Sequence, residues 1–256
     1  MAGSTIKSLE RGLQIMNILG SSSAALSLNE IADHFEIDRS SVFRLLGTLI
    51  KHGYVLQDPS SKHYSLGYKV LELSGTVSGY SNIETILRPI MRQVCTETRQ
   101  NTHCAVIDGT DVVFIAVELP KDTVIINISV GTREPVTATA LGRALLAYMP
   151  AEEQARHVEQ AEFPPYTANS VRTSSQLYEI LAKVRQEGIA FDNEEYKEGI
   201  ICFAVPVFDH RGALQYSLGI SGHKDTILPK YDEYAHMVRA AGLEASRLLG
   251  WKSEKD

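Results

Sequence analysis

The stretch Arg39-Ser40-Ser41-Val42-Phe43-Arg44-Leu45-Leu46-Gly47-Thr48-Leu49-Ile50-Lys51 carries the residues best suited to specific recognition. Val42, Leu45, Leu46 and Leu49 recur at the i, i+3, i+4, i+7 offsets of one helical face. Arg39, Ser41, Phe43, Arg44, Thr48 and Lys51 fall off that face, with Ser40 beside them at the helix start. A guanidinium can take a guanine edge in two hydrogen bonds, while hydroxyls and backbone N–H groups hold phosphates. The spacing predicts a helix that buries one side and offers the other to the major groove of duplex DNA. A few residues on, Lys62 and His63 stand near the tip of a predicted hairpin, placed to lie along the sugar–phosphate backbone. The same pattern also suits a winged helix used only for protein contacts.

Two further stretches have chemical potential. Gly131-Thr132-Arg133-Glu134-Pro135-Val136-Thr137-Ala138-Thr139-Ala140-Leu141-Gly142-Arg143 leads small residues and hydroxyls into a helix start. Free N–H groups and the helix dipole favour an anion there, although close helix–sheet packing demands small residues too. Gly188 to Tyr196 gathers Asp192, Glu194 and Glu195 ahead of Cys202. Carboxylates so grouped can serve as acid and base or ligate a metal, but such a run is more often a solvated loop. Cys202 within an apolar strand reads as a small buried hydrophobe. A Cys202/His210 nucleophile pair and a metal site from His103, Cys104 and Cys95 are weaker alternatives, because spacing alone brings neither group together. There is no Walker loop, dinucleotide fingerprint or Gly-x-Ser-x-Gly elbow.

The elements that must position these residues follow from caps and periodicity. Ser27-Leu28-Asn29-Glu30 has capping-box spacing and opens a short helix that Phe35-Glu36-Ile37-Asp38 interrupts. Asp38 or Ser40 caps the next helix, and His52-Gly53 ends it. Two helices joined by a tight turn form a helix-turn-helix. Tyr54–Leu56 and His63–Leu66 flank the turn-forming Asp58-Pro59-Ser60-Ser61-Lys62, which gives a wing. A first helix from Ser8, with Leu9, Leu13, Met16 and Leu19 apolar, is expected to cover this pair. Helices are then predicted over 68–80 and 83–99, with a domain boundary near Ser81-Asn82. Beyond it, strand-like runs at 102–107, 112–118, 124–130, 200–208 and 213–220 mix with helical patterns at 137–148, 151–160, 174–187 and 228–249. The strands cluster in hairpins, so an antiparallel sheet covered by helices, an α+β domain, is expected.

Composition narrows the class. A chain of 256 residues, 44% hydrophobic and 22% charged, is ordinary for a soluble globular protein of one large or two modest domains. No apolar run approaches the ~18 residues that span a bilayer, and no secretory signal opens the chain, so no membrane partner and a cytoplasmic location are expected. Three cysteines without zinc spacing argue against a disulfide framework. Net charge is −6, which at first opposes a phosphate-rich partner. Of the 25 Lys/Arg and 31 Asp/Glu, seven of each precede residue 82, leaving 18 and 24 behind it. The first part is thus neutral, which implies modest non-specific affinity and tight binding only by two or more copies on one site.

Taken together, these blocks resemble the IclR family of bacterial transcriptional regulators over about Ser8 to Trp251. The resemblance is carried by Ser8–Leu13, Leu28–Ala32, Ser40–Leu49, Gly53–Val55 and Tyr64–Gly67. It continues in Gly131–Pro135, Thr139–Ala147, Gly188–Glu195 and Cys202–Asp209. It implies a winged helix-turn-helix DNA-binding domain at 1–67, a linker helix at 68–81 and a GAF-like effector-binding and oligomerisation domain at 82–256. It further implies dimers, often paired into tetramers, on pseudo-palindromic operators. No cofactor is implied. The family's ligand pocket maps onto Thr139, Ala140, Leu141, Asp192, Cys202, Gly219 and Ser221, and its effectors are mostly small carboxylates, sugar acids and aromatics. Ser41 departs mildly from the family's usual threonine, and Phe43 lacks the hydrogen-bonding group of the commoner tyrosine or histidine. The expected function is a sequence-specific DNA-binding regulator, a repressor in the first instance, under effector control. One alternative is a small-molecule enzyme using Asp192, Glu195 or Cys202, and another is a ligand sensor that docks only protein partners.

Overall fold

In the computed structural model, which describes residues 5–74, 83–121 and 128–252, Ser27 and Glu30 cap one another. The Glu30 N–H donates to Ser27 Oγ at 3.3 Å and the Ser27 N–H to Glu30 Oε2 at 2.7 Å. This start and the Asp38 cap of the following helix help build the first of two compact units, Met1–Tyr80 and Ser81–Asp256. Its elements are α1 (Lys7–Ser21), α2 (Leu28–Ala32), α3 (Arg39–Lys51), β1 (Val55–Gln57), β2 (Tyr64–Leu66) and α4 (Lys69–Ser74). Asp38, not Ser40, caps α3, accepting the Ser41 N–H at 2.9 Å. β1 and β2 pair antiparallel with Val55 opposite Leu66, and Leu26 adds a bridge to Tyr64.

The core of this unit is Ile15, Leu19, Ile31, Ala32, Val42, Leu46, Val55 and Tyr64, all nearly or fully buried. The expectation for α1 holds in part: Leu19 is buried and Met16 packs on the core, but Leu9 and Leu13 are 59% and 58% exposed, and Ile15 is buried in their place. Its apolar spacing therefore describes two faces, of which only one meets α3 and the wing. Within the predicted 68–80 helix, α4 covers Lys69–Ser74 and Tyr68 is a turn residue; 75–80 and the Ser81-Asn82 boundary lie outside the described residues.

The second unit holds a six-stranded antiparallel sheet, as expected. Its strands are β3 (Asn101–Asp108), β4 (Asp111–Glu118), β5 (Arg133–Pro135), β6 (Ala190–Asn193), β7 (Ile200–Phe208) and β8 (Leu214–His223). They lie in the order β5-β4-β3-β8-β7-β6. The helices are α5 (Arg88–Thr98), α6 (Ala140–Tyr148), α7 (Ala151–Gln160), α8 (Ser174–Glu187), the single turn α9 (Lys224–Ile227) and α10 (Tyr231–Leu248). Register assigns the two faces of the sheet. Cys202 stands opposite both Asp192 and Ser221, and His103 opposite Gly219, so these residues share one face. Phe191 and Phe203 point the other way and meet Tyr231 of α10 edge-on, with centroids 5.1 and 4.9 Å from its ring.

Several boundaries moved for identifiable reasons. Pro89, lacking a backbone donor, sits in the first turn of α5, and a π-turn, Ile83–Leu87, precedes it. Pro229 likewise falls in a 3-10 turn, so the last helix starts at Tyr231 rather than Leu228. Residues 137–139 are not helical, because Thr139 is the cap of α6. Of the predicted 124–130 strand, 124–127 lie outside the described residues and 128–130 form no strand. Gly142 resolves part of the small-residue pattern: a Cβ there would stand 2.1 Å from the Val136 carbonyl oxygen, so close packing of α6 requires the glycine.

Candidate nucleic-acid interface and ligand pocket

The outward side of α3 presents Arg39, Ser40, Phe43, Arg44, Thr48 and Lys51 to solvent, with Ser41 half-buried. The cap organises this surface. Ser41 Oγ donates to Asp38 Oδ2 at 2.8 Å, Ser40 Oγ donates to Asp38 Oδ1, and Arg44 Nη2 donates to Ser41 Oγ at 3.1 Å. These serine donors hold the Asp38 carboxyl far below the usual carboxylate range. In the free protein the two hydroxyls therefore brace the helix start and, through Ser41, the Arg44 guanidinium. Thr48 Oγ1 donates back to the Arg44 carbonyl at 3.1 Å.

The wing is built in a similar way. Asp58 Oδ1 accepts from the N–H and the hydroxyl of both Ser60 and Ser61, at 2.5 to 3.0 Å, which fixes the turn and lowers the Asp58 pKa. Lys62 follows at φ +60°, exposed at the tip. His63 is half-buried, with Nδ1 2.9 Å from the Ser61 carbonyl oxygen.

In the second unit, one cavity collects residues from distant parts of the chain. Thr139, Ala140, Leu141, Asp192, Cys202, Gly219 and Ser221 all line it, the full set that the family resemblance implies. Its empty space is about 510 Å³ including the open mouth, which makes the site a small slot. Thr139 accepts the Gly142 N–H at 3.2 Å and donates to the Pro135 carbonyl at 3.1 Å. The Ala140 and Leu141 N–H groups, first in α6, have no acceptor among the described residues.

Sequence reasoning did not place His103, Glu134, Tyr196 or Lys197 in the pocket, yet all four also line the slot. His103 is 3% exposed. Its Nε2 lies 2.7 Å from Ser221 Oγ, whereas Nδ1 is buried without a partner. Burial depresses its pKa to about 3, so the ring is neutral. Burial likewise raises Glu134 to about 7, with the Asp192 carboxylate adding to the effect and Lys197 opposing it. Asp192 is raised to about 6, again by burial, although the Glu195 N–H at 2.8 Å and Arg143 pull the other way.

These shifts have a sign. A carboxyl raised in the folded state binds more protons folded than unfolded, so between its ordinary 4.5 and about 7 Glu134 costs stability progressively as pH rises. Glu134→Gln is therefore expected to raise the thermal midpoint more at pH 8 than at pH 5. Equal shifts at the two pH values would show that Glu134 ionises freely.

Other candidate chemistry is not assembled. His103 and Cys104 are successive residues of β3 and face opposite sides of the sheet, and Cys95 lies on α5. Among the described residues no three His, Cys, Asp or Glu side chains converge on a metal position. His210 belongs to the turn after β7, whereas Cys202 lies near that strand's start. The Cys202 thiol is pushed well up by burial and by the Asp192 and Glu134 charges, which makes it a poor nucleophile. Glu195 turns away from the slot to the fully buried Arg143, the two forming an ion pair.

A winged helix-turn-helix with a cationic outer face, carried in one chain with an α+β unit that encloses a small pocket, defines a class: helix-turn-helix transcription regulators. The IclR helix-turn-helix domain matches residues 8–59, and the bacterial transcriptional regulator IclR C-terminal domain matches residues 76–247. The chain is 31% identical over 251 residues to the HTH-type transcriptional regulator XynR of Escherichia coli (strain K12), covering 96% of this chain and 98% of that protein. The crystal structure of the Thermotoga maritima IclR superposes with a TM-score of 0.80 at 28% identity, over 96% of this chain and all of that one. An IclR homolog from Microbacterium hydrocarbonoxydans, complexed with 4-hydroxybenzoate, shares the fold with a TM-score of 0.82 at 19% identity, over 94% and 98% of the two chains. The chain belongs to the IclR family of bacterial transcriptional regulators, and it is a regulator rather than an enzyme. Among the described residues no helix is long and apolar enough to cross a membrane.

Proposed function

We propose that this regulator is a cytoplasmic repressor whose operator affinity is set by a small carboxylate in the slot. Residues 1–67 bind DNA, 68–81 link, and 82–256 sense the effector and oligomerise. Arg39 and Arg44 read base edges, with Ser40, Ser41, Phe43, Thr48 and Lys51 of the same helix and Lys62 and His63 of the wing bracing the duplex. The observation that carries the effector reading is the slot itself: unpaired N–H groups at the start of α6, Lys197 at the rim and the unpartnered Nδ1 of His103. An anion suits such a helix start, and the 4-hydroxybenzoate bound by the Microbacterium homolog is a small aromatic carboxylate.

Self-association is part of the proposal. The operator is a pseudo-palindrome bound by a dimer, with pairing into tetramers open to the larger unit. Ile6, Leu9 and Leu13 lie at offsets of three and four, 68%, 59% and 58% exposed, an apolar stripe suited to a second copy. Effector control then requires a ligand that binds more tightly to one spacing of the paired recognition helices than to the other.

A mobility-shift titration on DNA upstream of the chain's own gene tests this, run with and without 4-hydroxybenzoate and gluconate. The expected result is a salt-sensitive specific band whose midpoint moves with one of these carboxylates. A band indifferent to both, together with no thermal shift of the protein by either, would count against carboxylate control.

A further inference from the structure

We propose that Phe43 and Gly47 form a notch on α3 that receives the 5-methyl group of a thymine in the major groove. The inference rests on the assignment of α3 as the DNA-facing helix and adds to it a base preference.

Phe43 is 55% exposed, lies outside the core of its unit and makes no ring contact among the described residues. It is the fifth residue of α3, in the half of a recognition helix that reaches base edges. The fold gives this ring nothing to do. It also gives no reason for Gly47, one turn further along the same face: a Cβ there would meet nothing within 4 Å, and the backbone is ordinary helix. Glycine inside a helix weakens it relative to alanine, so the free protein would be served better by a side chain.

The two residues make sense together. A helical side chain leans toward the N-terminus and covers the turn before its own Cα, so a side chain at 47 would lie over the Phe43 backbone. With glycine that space stays open beside the phenyl ring. Exposed Ser40, Arg44 and Lys51 flank it with polar groups. The major-groove edges of the four bases offer hydrogen-bonding groups and one apolar feature, the thymine methyl, for which an apolar side chain is the fitting contact. A phenyl ring cannot hydrogen-bond a base or a phosphate, so methyl contact is the base-specific chemistry open to it.

The test starts from DNA that the wild-type chain enriches from a randomised duplex pool, then compares that DNA with a copy carrying deoxyuridine for every thymine, which removes only the 5-methyl groups. Wild type should bind the uracil copy about fourfold more weakly per contacted methyl, the equivalent of about 0.8 kcal/mol for one buried methyl-sized group. Phe43→Ala should bind both copies with equal, reduced affinity. Gly47→Ala should leave the thermal midpoint unchanged or higher and still lose affinity for the thymine DNA, which separates a filled notch from a damaged fold. Wild-type indifference to the methyl groups, or a Phe43→Ala variant keeping the full preference, would overturn the proposal. Failure of the wild type to enrich any sequence would instead bring down the DNA-facing assignment of α3, and this inference with it.

Discussion

Replacing Arg143 by methionine is expected to lower the unfolding free energy of the Ser81–Asp256 unit by about 3–5 kcal/mol, the usual cost of breaking a buried ion pair from one side. The Arg143 side chain is wholly buried and pairs with Glu195. It also donates through Nε to the Thr137 carbonyl at 3.0 Å and through Nη1 to the Phe191 carbonyl at 3.5 Å. It thereby joins the segment before α6, strand β6 and the loop after it, three of the pieces that shape the slot. Methionine keeps most of the volume but leaves a carboxylate and two carbonyls without their donor. The measurement is favourable because the chain has one tryptophan. Trp251 stacks on Phe208 at 5.7 Å, so its fluorescence during urea unfolding follows this unit. Adding Glu195→Gln to Arg143→Met should recover part of the loss, since the stranded charge is then gone. A loss below about 1 kcal/mol would mean that Arg143 is not the tie described here.

Arg44→Ala is expected to weaken specific DNA binding by about 1–3 kcal/mol and to relax base preference at one position of each half-site. The side chain lies on the exposed face and donates to Ser41, itself held by Asp38, so the guanidinium is oriented before DNA arrives. Pre-orientation reduces the entropy lost on contact. Truncation removes no core atom, and the thermal midpoint should stay near wild type. Lys51→Ala should behave differently, weakening all sequences alike and reducing the salt slope by about 1. Fluorescence anisotropy at several salt concentrations separates the two. Unchanged operator affinity in Arg44→Ala would remove Arg44 from the residues that read sequence.

Local rules carried the first unit furthest. Capping-box spacing at Ser27–Glu30, the Asp38 start and the serine-rich turn after Asp58 each specify backbone through hydrogen bonds a few residues apart, and such bonds can be read from spacing. The orientation of α1 was less accessible. Leu9, Leu13, Met16 and Leu19 have helical periodicity, but periodicity marks a face without saying what covers it, and Ile15 proved to be the buried neighbour. The slot lies between these cases. Thr139–Leu141, Asp192, Cys202, Gly219 and Ser221 were reached through family resemblance, because nothing local joins a helix start to three strands. The places of His103 and Glu134 in the slot were not legible for the same reason, although both residues stand in stretches with chemical potential. His103 is tied to Ser221 across 118 residues, and Glu134 owes its perturbation to burial beside Asp192. The proline boundaries at Pro89 and Pro229 were legible in principle, since a proline in the first turn usually marks a start.

Amide hydrogen exchange of the full chain, free and bound to DNA it has enriched from a random pool, tests directly whether α3 and the wing are the surface that meets the duplex. New protection should appear across Arg39–Lys51 and Asp58–His63, beyond what the free helix already shows. DNA-induced protection that spares α3 altogether, while other surfaces slow down, would contradict the assignment.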